Sequence, residues 1–94
     1  MKITEFLAPY YQAFERDDTV KVEAFAVTLR NEGTTVVTID KQLNLQPNES
    51  VSYTTDGVRG IKTVFDIRFA KPPAGQPQTG NRLVFIQMRP TNTL

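Results

Sequence analysis

Apolar and polar residues alternate with a period of two along most of this 94-residue chain, the signature of half-buried β-strands. The cleanest run is 61–69, where Ile61, Thr63, Phe65, Ile67 and Phe69 share one face and Lys62, Val64, Asp66 and Arg68 the other. Between Leu29 and Tyr53 the pattern predicts three short strands and two turns. Asn31-Glu32-Gly33-Thr34 supplies the first turn, with Gly33 able to take a positive φ, and Val36, Val37 and Ile39 follow as a β-branched run. Leu43 and Leu45 then alternate up to Pro47-Asn48-Glu49, where Pro47 has no N–H for a ladder, and Val51 and Tyr53 resume the spacing of two. Two other segments are apolar on both faces. Val20, Val22, Ala24 and Ala26 alternate with Phe25, Val27 and Leu29, and in Arg82–Arg89 Leu83 and Phe85 alternate with Val84, Ile86 and Met88. Such strands belong at the centre of a sheet or beneath a covering partner.

The N-terminal residues follow another spacing. Ile3, Phe6, Leu7, Tyr10 and Phe14 recur at helical intervals, and Pro9 suits the first turn of a short helix over Pro9–Arg16. Residues 1–18 are therefore expected to form a short helical or extended arm. Two roles fit its apolar face: a lid over one open end of the fold, or an arm whose Phe6, Tyr10, Tyr11 and Phe14 dock on a neighbouring subunit. Asp17-Asp18-Thr19 marks a turn, after which residues 19–90 make the folded domain. Within it, 71–81 carries Pro72, Pro73, Gly75, Pro77 and Gly80 without apolar periodicity. It reads as an extended connection, long for a hairpin, that is either plain surface or a place of contact through Pro72, Pro73 and Pro77. Pro90 ends the last strand, and 91–94 is a polar tail, free or inserted into a neighbour.

The elements add up to an all-β chain: one antiparallel β-sandwich or flattened barrel of about six to seven strands. A chain of this length holds one core but buries only roughly two-thirds of its surface, so partners can contribute to stability. With no Cys, the fold has neither disulfides nor thiolate ligands. The absence of His as well removes the usual general base and the imidazole metal ligand. Carboxylate pairs such as Asp17 with Asp18, or Asp56 near Asp66, sit where turns and solvated strand faces already account for them. The spaced acidic loop of a calcium site is missing. No catalytic, cofactor-binding or metal-ligating residue is assigned, and the chain is expected not to be an enzyme. Its net charge of +1, from 11 basic and 10 acidic residues spread along the chain, gives no polyanion-seeking surface. Strand alternation also separates Phe65 and Phe69 from Lys62 and Arg68, so nucleic acid is not the expected partner.

The segment Asn31-Glu32-Gly33, Val37-Thr38-Ile39-Asp40 and Leu45-Gln46-Pro47-Asn48-Glu49-Ser50 resembles one that recurs in small immunoglobulin-like β-sandwich modules. Such modules occur in surface-adhesion repeats and, as single short chains, in structural proteins of tailed and tailless bacterial viruses. The resemblance covers about a quarter of the chain and carries no active-site residues. The sequence contains no apolar run of the length required by a signal peptide or a membrane helix. A protein made and kept in the cytoplasm favours the virion over the adhesion setting. The resemblance thus implies a minor bacteriophage virion protein, a vertex, spike-base, cement or tail component assembled in the host cytoplasm. It would be a homo-oligomer or bind other virion proteins. The competing expectation is a ligand-binding sandwich for a glycan or a peptide strand.

Overall fold

A computed structural model describes residues 6–55, 59–77 and 79–91. Among them are eight strands and no helix: β1 (Phe6–Phe14), β2 (Asp18–Ala24), β3 (Ala26–Asn31), β4 (Val37–Ile39), β5 (Leu43–Leu45), β6 (Ser50–Thr54), β7 (Ile61–Phe69) and β8 (Leu83–Thr91). They pair as one long antiparallel ribbon folded back on itself, β1 with β8, β2 with β7, β3 with β6 and β4 with β5. Rolling the ribbon sets β3 beside β8 and β4 beside β7, which gives two sheets ordered β1-β8-β3-β6 and β2-β7-β4-β5. This sandwich has the winding of a jelly roll. An immunoglobulin sandwich keeps its first two strands together in one sheet, whereas here β1 and β2 lie in opposite sheets.

The rolling explains the segment that is apolar on both faces. At Phe25 the chain leaves the second sheet and enters the first. The Phe25 N–H donates to the Met88 carbonyl at 2.8 Å while Ala26 also stands opposite Met88, a bulge of two residues against one. The extra residue resets the side-chain parity, so Val20, Val22 and Ala24 before it and Val27, Leu29 and Asn31 after it all face the interior. What reads as a single two-faced strand is two one-faced strands. β8 is apolar on both faces for the other reason: it is central, between β1 and β3.

The expected helix over Pro9–Arg16 is replaced by β1, so the N-terminal segment takes the extended of its two expected forms. Positions 6, 10 and 14 are four apart, a helical interval, but four is also a multiple of two and keeps them on one strand face. Pro9 fits for a reason that the register supplies. Because the Met88 carbonyl points to β3, the opposing Pro9 directs its nitrogen to the open edge, where no donor is needed. Pro90 has the same parity as Met88, so its nitrogen points to the side where β3 has already left the sheet.

The core lies between the sheets around Phe85. Its ring meets Phe14 edge-on at 5.2 Å and Phe65 at 5.8 Å, and Tyr53 covers Phe65 at 5.5 Å. At one end the loops are drawn together by Asn31, which is fully buried. Its amide donates to the carbonyls of Thr35 (2.7 Å) and Leu45 (3.0 Å), its Oδ1 accepts from the Gly33 N–H (3.0 Å), and its backbone bonds to Asn48 and Glu49. Gly33 does not take the positive φ expected of it. Its requirement is space: a Cβ there would run into the Gly80 carbonyl and approach the Arg82 nitrogen to 2.6 Å. The turn after β4 uses positive φ at non-glycine residues, Asp40 and Lys41, and is closed by the Gln42 N–H on the Ile39 carbonyl at 3.0 Å. This is the type I′ geometry of tight hairpins.

Candidate functional site

Pairing in the first sheet fixes which side chains share its outer face. Pro9, Met88 and Ala26 with Thr54 form one row, Tyr11, Ile86 and Thr28 with Ser52 the next, and Ala13, Val84 and Arg30 with Ser50 the third. The β1 and β8 half of this face is an apolar band; the β3 and β6 half carries hydroxyls, with Thr28 and Ser52 bonded to each other at 2.9 Å. None of the four strands contains Asp or Glu, and their charges are Arg30 and Arg89 alone. Arg30 leans towards Glu32 at 4.0 Å, which moderates its charge. By contrast, the second sheet carries Asp18, Lys21, Glu23, Lys62, Asp66 and Arg68. An outer face with Tyr and Met, a single Arg, and no Lys or acid has the composition of an interface centre.

The seven residues expected to make contacts do not converge. Tyr11 projects from the apolar band, opposite Ile86, and is 65% exposed. Tyr10 lies on the inner side of the same strand, 40% exposed, with the Arg89 guanidinium 4.1 Å above its ring. Phe14 is half-buried and stacked on Phe85, so its ring is occupied by the core. Phe6 is placed by register opposite Thr91, and its side chain lies outside the described residues. Pro72 is half-buried, while Pro73 and Pro77 are exposed. All three prolines sit in the connection leading to Leu83, which faces Phe14 at the other end of β1 from Phe6. Sequence reasoning missed Pro9, Ala13, Val84, Ile86 and Met88 as members of one surface. The signal was present in the two-faced pattern of β8, but only the β1–β8 pairing shows what lies beside it.

Beyond this band, the interior of the first sheet turns polar. Gln87 is fully buried; its amide donates to Gln12 Oε1 at 3.3 Å and its Oε1 accepts from Arg89 Nε at 3.1 Å. These bonds satisfy a polar end to the core, where Tyr10 stands opposite Gln87 in register. Past Met88 the ribbon runs on as Phe6–Ala8 of β1 against Arg89–Thr91 of β8, with no third strand beside it among the described residues. Two strands without further cover are marginal in water.

A polar surface hollow is bounded by Glu15, Arg16, Asp17, Lys71 and Asn81. Asp17, Lys71 and Asn81 within it are already engaged. Asp17 Oδ1 accepts from the Phe69 N–H at 2.8 Å and Oδ2 lies 3.5 Å from Lys71; Asn81 accepts from Thr35 and donates to the Glu15 carbonyl. The Phe69 hydrogen bond holds the Asp17 carboxyl below its ordinary pKa, against a partial opposing effect of burial and with help from Lys71. This arrangement staples loops and offers little to a ligand. Among the described residues no helix is long and apolar enough to cross a membrane.

No family model, curated protein or solved structure matches the chain.

Proposed function

We propose that the chain is a non-enzymatic structural subunit that docks on neighbouring proteins through the outer face of β1 and β8, and that it is a minor component of a bacteriophage virion. The observation that carries the docking reading is the acid-free apolar band of Pro9, Tyr11, Ala13, Val84, Ile86 and Met88, continuous with a two-stranded ribbon beside which the described residues place no third strand. Burying the open part of that band, Pro9, Tyr11 and Ala13 with the half-buried Ile86 and Met88 beside the already buried Val84, supplies the association energy, and the hydroxyl half of the face gives a polar border. Modest contacts repeated under symmetry add to a stable shell. The viral setting is supported by the winding, since jelly rolls occur in viral capsid domains. They also occur in lectins, so the fold alone is an analogy, and the apolar face is what favours a docking subunit over a sugar-binding module.

The test is the paired substitution Tyr11→Asp and Met88→Asp, which puts charge on the face while leaving the fully buried core side chains in place. In particles purified from the producing host, the wild-type chain is recovered and the variant stays in the soluble fraction with its β-sheet circular dichroism intact. Recovery of the variant at the wild-type level would overturn the face as the docking surface.

A further inference from the structure

The open edges of the two sheets differ in what they can accept. On β1 the outward-directed backbone groups are those of Leu7, Pro9, Tyr11 and Ala13, and Pro9 interrupts the row of donors. β5 has only three residues. β6 presents Ser50, Ser52 and Thr54, a row without charge to set a register. β2 is seven residues long, has no proline and carries the opposite charges Lys21 and Glu23 on its outer face, with Asp18 at its start.

The hydrogen-bond parity of β2 follows from its neighbours. The Ala70 N–H donates to the Val36 carbonyl and the Asp40 N–H to the Asp66 carbonyl, so even-numbered residues of β7 address β4 and odd-numbered ones address β2. Phe69, an odd residue, accordingly donates to Asp17 on the β2 side. The β2–β7 register then turns Val20, Val22 and Ala24 inward to the ladder and leaves the N–H and C=O of Thr19, Lys21 and Glu23 at the open edge. The Thr19 N–H is taken by Asp18 Oδ1 at 2.7 Å. Lys21 and Glu23 are left to offer both donor and acceptor.

We propose that β2 pairs edge to edge with β2 of a second copy of this chain, antiparallel about a twofold axis at Val22, joining the two second sheets into one. In this register the Lys21 N–H donates to the Glu23 carbonyl of the second copy and the Glu23 N–H to its Lys21 carbonyl, with the same bonds repeated by symmetry. Lys21 stands directly across from Glu23 of the second copy on the outer face, an opposite-charge cross-strand pair on each side of the axis. Glu23, 3.7 Å from its own Lys62, then lies between two cations. Shifting the axis to Lys21 or to Glu23 places like charges opposite each other, so the charges select one register. The ends of the ladder agree. Thr19, whose N–H is already capped, falls opposite Phe25 of the second copy, where the strand bends out of the sheet. A lysine on an edge strand ordinarily deters pairing, but here the sequence Lys-Val-Glu is its own complement. This pairing uses neither β1 nor β8, so it stands apart from the docking face proposed above.

The test uses the full chain and the variants K21E and E23K, with mass measured by light scattering over a concentration series. The wild type is expected to reach twice its 10.6 kDa. Each variant alone sets like charges across the axis and should dissociate about tenfold more readily. Mixing the two variants restores opposite charges on both sides of the axis, so the mixture should recover the dimer. A monomeric wild type, or single variants that dimerise as well as wild type, would overturn the proposal, as would a mixture no heavier than its components. A wild-type dimer that resists K21E but dissociates on Tyr11→Asp would assign self-association to the first sheet instead, and would also overturn it.

Discussion

Asn31 and Gly33 hold the loop end of the sandwich in complementary ways, one through hydrogen bonds and the other through absence. Replacing Asn31 by Leu leaves the Thr35 and Leu45 carbonyls and the Gly33 N–H without their partner in or near the interior. A loss of about 2–4 kcal/mol is expected from urea unfolding, at the upper range for orphaned buried groups. Gly33→Ala forces the loop away from Gly80 and Arg82, both backbone obstacles, and should cost about 1–3 kcal/mol. An unchanged midpoint for either variant would contradict the packing described. At this scale the sequence was partly legible. The Asn-x-Gly turn announced itself, but it suggested a positive φ at Gly33, whereas the constraint is a steric one set by residues some 47 positions later in the chain. The Asp40–Lys41 turn was not legible at all, because neither residue is a glycine and the positive φ values become evident only in the folded hairpin.

The elements follow from the sequence where one rule dominates and diverge where two patterns coincide. β7 was plain from alternation alone. β1 was obscured because positions four apart satisfy both helix and strand, and tertiary pairing with β8 decides between them. The β2–β3 bend was obscured because a bulge is a one-residue event that the surrounding alternation hides. The strand total, expected at about six or seven, is eight among the described residues for that reason and because β1 joins the sheet. At the end of β7, Asp17 takes the place of a backbone acceptor for the Phe69 N–H and thereby extends the ladder. Its carboxyl is held below the ordinary value of 3.8, so the stabilisation is fully present above the unfolded-state pKa and is lost as pH falls through the folded-state value. The stability gap between wild type and Asp17→Asn should stay level from neutrality to about pH 5 and narrow in more acid solution. A gap that widened with acid would contradict the assigned sign. Phe85, the ring common to both sheets, gives the largest effect expected from a single core truncation: Phe85→Ala should lose about 3–5 kcal/mol.

On the scale of the molecule, the two sheets divide the labour. The second sheet turns charges outward, and the first turns an apolar band and hydroxyls outward, with no carboxylate in any of its strands. A sandwich was legible from alternating strands and turn residues. The winding was not, since it depends on which strands meet: the Asn31–Ser50 segment resembles immunoglobulin-like sandwich modules and carries no strand order, and the pairings follow a jelly roll. The same holds for the contact surface. Tyr11 could be singled out as an exposed aromatic, yet its companions Ile86 and Met88 stand more than seventy residues away in sequence and join it only through the β1–β8 ladder. The account of a structural subunit is tested most directly by counting this chain in purified particles with isotope-labelled reference peptides. A fixed number of copies per particle, constant between preparations and retained after a high-salt wash, is the predicted result. Particles that assemble without the chain, or that shed it completely in salt, would contradict it.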